Sequence, residues 1–502
     1  MGAEYTRNSM PFYELVQGQY GRKIAYTNVS QITPDNVEKV VAEGLSVHNK
    51  NKPAIAYLWN YYKGDQPVHY RTKTVRDDII NRIEENHAYE IVQFKTGQTY
   101  GEPVQYISRK DDERINNAVD TLNDYMVDAD KQSKDIKSGE WQSATGTSFK
   151  AVQRKYGDVP FRIVAPTPLN TFVIYSRETE EAMLSVQELL DENGEDYLLC
   201  FSENMQFTLK DGKLKDNRLH AFGGIPVIEY PNNWERISDI ELVIDLLDAI
   251  SNMQSNRMDG VEQFVQSWVK FVNCEIDENL FNRLKAMGAL VVKSNNGAEN
   301  RADVDVMSQE LNQTESQVAK DDLWDNALAI LAIPNRESQN SGGDTMGAVS
   351  LRAGWDMSKT RTQIKDPLIK TSEKQLAKVV LNILRISNDD LNITLKDFDV
   401  QINHSPTDNL YTKAQALLEL LQSGISPMVA IKTVGLWGDS EKTYILSKPY
   451  LDAKYKTADE MKEEQANTES TENDFLGTSQ TGQKEKEATG GMKKPQENNA
   501  ES

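Results

Sequence analysis

Cysteine is almost absent from this chain: 502 residues contain two, Cys200 and Cys274. They lie far apart and match no metal-ligand spacing, so they read as two reduced thiols rather than a disulfide framework or a thiolate metal site. Histidine is nearly as scarce. His48, His69, His87, His220 and His404 pair with no nucleophile pattern, and each reads as a surface or satisfied core residue. Gly-x-x-x-x-Gly-Lys-Ser/Thr, Gly-x-Gly-x-x-Gly and His-Glu-x-x-His are all missing, which argues against nucleotide-driven, dinucleotide-dependent and zinc-protease chemistry. No apolar run reaches the roughly 18 residues of a membrane span. The start, Met1-Gly2-Ala3-Glu4-Tyr5, lacks a basic-then-apolar pattern, so export is not expected. Positive charge is in deficit: 56 Lys and Arg face 77 Asp and Glu, a net charge of −21. Tight non-specific DNA binding needs cations that displace counterions, and this balance opposes it. A surface that DNA slides past without sticking is compatible with it.

What is present suits a soluble protein with a large exposed or intersubunit surface: 38% hydrophobic and 26% charged residues. The length exceeds one core and implies about two to four domains. The fold class is α+β. Thr33-Pro34 reads as an N-cap with proline at the first helical position, opening a helix faced by Val37, Val40, Val41 and Leu45. A second helix carries Ile55, Leu58, Trp59 and Tyr62. A helix from Asn86 stops at Gly101 and Pro103 and is followed by a short strand. Residues 111–126 are amphipathic through Ile115, Val119, Leu122 and Met126. From Phe149 to Tyr230 the period becomes alternating. Strands are expected at 161–164, 171–175, 183–189, 197–202 and 205–209, with Asn193-Gly194 and Asp211-Gly212 as tight turns.

The stretch 238–384 organises the rest. A capping box, Ser238-Asp239-Ile240-Glu241, opens a helix predicted to run to Trp268, about 45 Å long. Its acids Asp239, Glu241, Asp245 and Asp248 read as a solvated face near a favourable helix dipole rather than a metal site. A small mixed insert follows, with strands at 270–276 and 289–293, a short helix at 278–287 and a third strand at 303–307. A second capping box, Thr314-Glu315-Ser316-Gln317, opens a helix faced by Trp324, Leu328 and Leu331 and closed by Pro334. After a polar, glycine-containing loop, a helix over 348–384 is expected to kink at Pro367. A strand at 393–402 and helices at 412–421, 428–434 and 441–447 complete the ordered chain. The tail 453–502 has too few bulky apolar residues to offset its ordering entropy and reads as disordered.

Four places together resemble the portal proteins of tailed double-stranded DNA bacteriophages, in the siphophage (SPP-one-like) portal family. They are Ile91-Val92 through Tyr100-Gly101-Glu102-Pro103-Val104; Gly224-Ile225-Pro226-Val227-Ile228 with Asn232-Asn233 before an acidic long helix; Ser341-Gly342-Gly343-Asp344-Thr345-Met346-Gly347-Ala348; and Ser423-Gly424-Ile425-Ser426 followed by Asp439 and Glu441. Order and spacing match over roughly residues 30–450. Met346 and Asp344 depart from the small-residue run usual at the third place.

The resemblance implies a portal fold with wing, long-helix stem, small α/β clip and helical crown, assembled as a ring of usually twelve copies at one capsid vertex. It implies a wing at 1–234, stem helices at 235–268 and 312–333, a clip at 269–311, a tunnel loop at 334–347, a kinked helix and wing strand at 348–404, a crown at 405–452 and a tail at 453–502. The expected role is a channel through which the DNA genome is packaged and ejected, with no enzymatic step, no cofactor and no metal. The implied partners are further copies of the chain, double-stranded DNA, the terminase large subunit, the major capsid and scaffolding proteins and a head-completion or adaptor protein, with no membrane. The expected location is the virion, with host cytoplasm during assembly. The tunnel loop would present Asn335, Arg336, Glu337, Ser338, Gln339, Asn340, Ser341, Gly342, Gly343 and Asp344 to the channel, and Arg336 is its candidate phosphate contact. Asp245 and Asp248 are candidates to line the stem. Asn273, Glu275, Asp277, Lys293, Asn295 and Asn296 are candidates to meet partners at the clip. Rival readings are a packaging ATPase, opposed by the absent nucleotide loop, and a head–tail or capsid scaffold that never touches DNA.

Overall fold

The computed structural model describes residues 20–73, 78–110, 112–265, 268–272, 279, 303–307, 313–335, 354–387, 389–404, 410–437 and 440–454. The chain divides into two compact units, residues 1–407 and 408–502. The first unit begins with β1 (Ala25–Thr27) and α1 (Val37–Tyr62). Then come α2 (His87–Tyr100), β2 (Gln105–Ser108), α3 (Glu113–Asp128) and α4 (Lys131–Thr145). The β-rich block is β3 (Thr147–Arg154), β4 (Phe161–Val164), β5 (Thr171–Ser176), β6 (Ala182–Leu190), β7 (Asp196–Phe201), β8 (Met205–Lys210), β9 (Lys213–Leu219) and β10 (Val227–Pro231). A helical hairpin follows: α5 (Ile244–Val265), β11 (Trp268–Val272), β12 (Asp303–Met307) and α6 (Gln313–Leu331). The unit closes with α7 (Trp355–Gln363), α8 (Asp366–Ile386) and β13 (Phe398–Gln401).

Six strands in the order β1-β5-β6-β7-β8-β9 form the largest sheet, antiparallel except where β1 runs parallel to β5. The expected hairpin turn at Asp211-Gly212 forms, with φ of 54° and 70° at its two residues. One face of the sheet packs Phe172, Ile174, Leu184, Val186 and Phe207 against Val37, Val40 and Val41 of α1. The approach is so close that a Cβ on Gly44 would meet Ile174 Cδ1 at 2.4 Å. A second sheet, β10-β3-β4, and the pair β13-β2 enclose the largest core with α3 and α8. Ile115, Val119, Leu122 and Met126 are the buried stripe of α3, as their spacing predicts, and Asp112 caps that helix by accepting from the amides of Arg114 and Ile115.

Several boundaries differ from expectation for local reasons. Residues 33–36 form a turn, in which Asn36 Oδ1 accepts the Thr33 amide at 2.9 Å, and the helix proper begins at Val37. That helix then runs unbroken to Tyr62 through Pro53, so the two helices expected there are one. Losing one backbone bond is tolerated because both ends are buried in cores. The helix expected over 348–384 is two helices, α7 and α8. The break falls at Ile364–Lys365, and Pro367 sits in the first turn of α8, where a missing N–H costs little. α6 begins at Gln313, so Thr314 lies inside it rather than capping it. Helix α4 and strand β9 had no sequence signal. Apart from residue 279, the expected elements at 278–287 and 289–293 and the tail from 455 lie outside the described residues. Among the described residues, no helix is long and apolar enough to cross a membrane.

The second unit contains α9 (Leu410–Gln422), α10 (Pro427–Val434) and α11 (Ser440–Lys454). Gly424, at φ 82°, makes the turn between the first two, and Pro427 opens α10. Lys413 Nζ donates to the carbonyl of Gly435 at 3.0 Å and ties the end of α10 back to α9.

Candidate functional site: a helical hairpin on a buried ionic base

Helices α5 and α6 pack together, and β11 and β12 pair antiparallel from Trp268↔Met307 to Val272↔Asp303. The hairpin is unequal along its length. Its base is built into the body: Ile240, Val243, Ile244, Leu247 and Ile250 join Ala327 and Leu331 in one core with Leu58, Tyr61, Ile91 and Val92. Beyond Ile250 the buried positions of α5 turn polar, at Ser251, Ser255 and Asp259. On α6 no residue from Thr314 to Asn326 is fully buried; Leu323 and Trp324 are half-covered.

The capping box at the base forms as expected: the Ser238 amide donates to Glu241 Oε2 at 2.7 Å, and the Ile240 amide donates to Ser238 Oγ at 3.0 Å. Regular helix starts only at Ile244, after a turn through residues 239–243. Asp239 and Glu241 are not on a solvated face. Both are buried, because cations distant in sequence come to them. Arg22 pairs with Glu241. Asp239 accepts from Ser143 Oγ at 2.8 Å and from Lys365 Nζ at 3.2 Å. Burial works against the Asp239 carboxylate, but Lys365 and Lys95 outweigh it and lower its pKa. The other root of the hairpin, the C-terminal end of α6, is held by two cations, one of them again Lys95. Lys95 Nζ donates to the Leu331 carbonyl at 2.5 Å, and Arg361 of α7 donates to the Ile330 carbonyl. Unsatisfied carbonyls at a helix C-terminus favour positive charge. Burial nevertheless pulls the Lys95 pKa down to about 8.

Behind the base lies a sealed cluster of four charges. Lys131 bonds Asp135 at 2.6 Å and Glu373 at 3.1 Å, and Lys150 bonds Asp135 and, at 3.0 Å, Glu373. Tyr106 and Tyr230 donate to Glu373 at 2.9 and 3.1 Å, and the Lys150 ammonium lies 4.0 Å from the Tyr230 ring centre. Burial disfavours the Glu373 carboxylate, but Lys131 and Lys150 pull its pKa down to about 2. For Lys150, Asp135 and Glu373 overcome burial and raise the pKa. Every member is occupied by another, so this cluster holds elements together and offers no reactive group to a substrate.

The other chemistry-bearing residues are similarly engaged. His48 bonds the Leu169 carbonyl at 2.9 Å, His69 meets Glu84 at 2.7 Å and His220 bonds the Ser202 carbonyl at 2.9 Å. His87 stacks on Trp324, and His404 meets Asp366 at 3.2 Å. Cys200 is a buried free thiol whose pKa burial pushes up, while Cys274 lies outside the described residues. Among the described residues no cluster of His, Cys, Asp and Glu could hold a metal. A cavity of about 40 Å³ between α1 and β5 has room for little more than water.

The two stem candidates part company. Asp245 is exposed, whereas Asp248 is half-buried and accepts from Tyr61 Oη at 2.8 Å, an interaction inside the chain. The exposed acids of the hairpin are mostly on α6: Glu315, Asp321, Asp322 and Asp325. The sequence singled out Glu315 only as a capping residue and the other three not at all, although their recurrence at helical spacing was a usable signal. Asn335 Nδ2 donates to Asp325 at 2.7 Å. Arg336, Glu337, Ser338, Gln339, Asn340, Ser341, Gly342, Gly343 and Asp344 lie outside the described residues, as do Asn273, Glu275, Asp277, Lys293, Asn295 and Asn296.

Residues 45–471 match the family described as "Phage portal protein, SPP1 Gp6-like". No curated protein matches the chain. Among solved structures, a chain from the virion of a native gene transfer agent particle is similar at 11% identity and TM-score 0.46, covering 76% of this chain and 94% of that one. A chain from the neck of the empty particle, computed with C6 symmetry, gives 11% and 0.46, with 70% and 91% covered. One from the neck of the native particle, computed with C12 symmetry, gives 10% and 0.42, with 70% and 90% covered.

Proposed function

The chain belongs to the SPP1 Gp6-like phage portal family, and we propose that it assembles into a ring, about twelve copies around, whose axis is a DNA channel at one vertex of the capsid. In this reading the body before residue 235 is the wing, α5 and α6 are the stem, 269–311 is the clip and 405–452 is the crown. The clip docks the terminase large subunit during packaging and a head-completion protein afterwards. The wing meets capsid and scaffolding proteins. The 334–347 connection is the tunnel loop, with Arg336 as its phosphate contact. No chemical step is assigned to the chain.

The observation that carries the reading is the hairpin itself. Its base is fixed by apolar core and buried ions, whereas among the described residues beyond Ile250 on α5 and before Ala327 on α6 the fully buried positions are the polar Ser251, Ser255 and Asp259. Apolar Met258 and Val261 on α5 and Val318 on α6 are exposed there, Val318 at 63%. Neighbouring hairpins in a closed ring would cover such surface without leaving open ends. The α6 acids Glu315, Asp321, Asp322 and Asp325 suit a wall past which a polyanion moves without adhering. Negative-stain microscopy of the purified protein tests the reading. Rings with an open axial hole are the expected result. A stable monomer at micromolar concentration defeats it, and a ring without a hole favours a scaffold that does not conduct DNA.

A further inference from the structure

Helix α5 carries a second pattern that neither the core nor the ring reading uses. Ser251, Ser255 and Asp259 recur every four residues on one face and are 1%, 0% and 4% exposed. An extended segment lies along them. The Asn81 amide donates to Asp259 Oδ1 at 2.6 Å, the Ile83 amide to Ser255 Oγ at 2.9 Å and the Glu85 amide to Ser251 Oγ at 3.3 Å. Two periods coincide here. Four helical residues rise about 6.0 Å, and two extended residues advance about 6.6 Å. Alternate amides of the segment therefore meet successive turns of the helix, antiparallel to it. The mismatch, about 0.6 Å per step by the same geometry, accumulates away from Asp259, and the bonds lengthen in that order.

Asp259 is also where the charge is concentrated. It accepts a second bond from Asn81 Nδ2 at 2.9 Å, one from Arg71 at 3.0 Å, and pairs with Lys73. At the far end, Glu85 pairs with Lys320 of α6 at 2.9 Å, so the segment touches both helices of the hairpin. Between these ends, among the described residues, the segment's hydrogen bonds to α5 are to the Ser255 and Ser251 hydroxyls. Such bonds are about half as strong as bonds to a charged group.

We propose that residues 79–85 are a releasable strap on α5, latched by Asp259, which lets the hairpin shift against the body while both helices stay folded. The purpose assigned to the strap rests on the portal reading; its existence does not. Release exposes a helix face that presents a hydrogen-bond acceptor at each turn, able to take back only an extended segment in the same register.

Hydrogen exchange followed by mass spectrometry on the full chain tests this whether or not rings form. In the unaltered protein, peptides covering 79–85 should exchange more slowly than an unstructured chain. In Asp259→Asn their exchange should rise about tenfold, the equivalent of one charge-assisted bond, while peptides covering 244–265 keep their protection. Ser255→Ala should give a smaller rise confined to the same peptides. The proposal is overturned if the 79–85 peptides are unprotected in the unaltered protein. It is equally overturned if Asp259→Asn leaves them unchanged, or if strap and α5 lose protection together, which would make the strap an inseparable part of the hairpin.

Discussion

The body and the outer half of the hairpin handle charge in opposite ways. In the body, acids and bases are drawn out of water and matched: Glu373 with Lys131 and Lys150, Glu229 with Arg236, Glu241 with Arg22. On α6, Glu315, Asp321, Asp322 and Asp325 are left at the surface. A buried ion that loses its partner is costly, so the body's arrangement admits one geometry and resists any other. A surface acid contributes little to stability, so its replacement leaves the geometry of the body unchanged. The contrast separates a frame from the surface that the portal reading assigns to the channel.

The sharpest way to break this comparison is to unpair a body ion. Glu373→Ala leaves Lys131, Lys150 and two tyrosine hydroxyls facing a void, and we expect it to destabilise the chain by about 3–5 kcal/mol. Asp322→Ala should stay within about 0.5 kcal/mol of the unaltered protein. Urea midpoints of the two variants check the pair. Equal effects would abolish the distinction. The same carboxylate sets an acid limit. Glu373 has its pKa depressed from 4.5 to about 2, so its contribution is present above about pH 4.5 and is lost as the pH falls towards 2. Acid unfolding of the body should fall in that window and shift upward in Lys131→Met.

An intermediate effect is expected where the frame meets the hairpin. Lys95 has its pKa lowered by burial from 10.5 to about 8. Between those values the unfolded chain holds a proton that the folded one has released, so this residue makes stability rise with pH over that range. Lys95→Met should remove that component, and urea midpoints at pH 7.5 and 9.5 should differ less in the variant than in the unaltered chain. An unchanged pH dependence would place the Lys95 ammonium in water and release the end of α6 from its anchor.

The difference between the regions also explains what could be read from sequence. Strands at 161–209 and helices α2 and α3 were legible because apolar side chains mark their buried faces at a period of two or of three to four. Helix α4 was not, because the face it buries is Lys131, Asp135, Ser138 and Gln142. That stripe looks like solvent-exposed surface until its partners are known. Those partners are remote: Lys150 and Glu373 are 223 residues apart. For the same reason Asp239 and Glu241 passed for a solvated helix end. The family resemblance directed attention to the hairpin, but choosing Asp245 and Asp248 as its outward acids needed a knowledge of which side of α5 faces Tyr61.

The smallest expected change in stability belongs to the surface acids, and there the comparison can be sharpened. If α6 rather than α5 presents the charged wall of a channel, then Asp321→Lys with Asp322→Lys should leave the folding midpoint within about 0.5 kcal/mol and leave rings intact. It should still slow DNA passage, and the defect should fade as salt rises, because lysine–phosphate contacts depend on counterion release. Asp245→Lys is the matched control, an exposed acid on α5. Asp248→Lys is no such control, since it would put a cation against the buried Tyr61 hydroxyl and disturb the hairpin's packing. Packaging assays at low and high salt separate the outcomes. A salt-sensitive defect in the α6 pair alone assigns the wall to α6. The same defect in Asp245→Lys alone returns it to α5, and no defect in either would leave these carboxylates on the outside of the ring, serving solubility rather than passage.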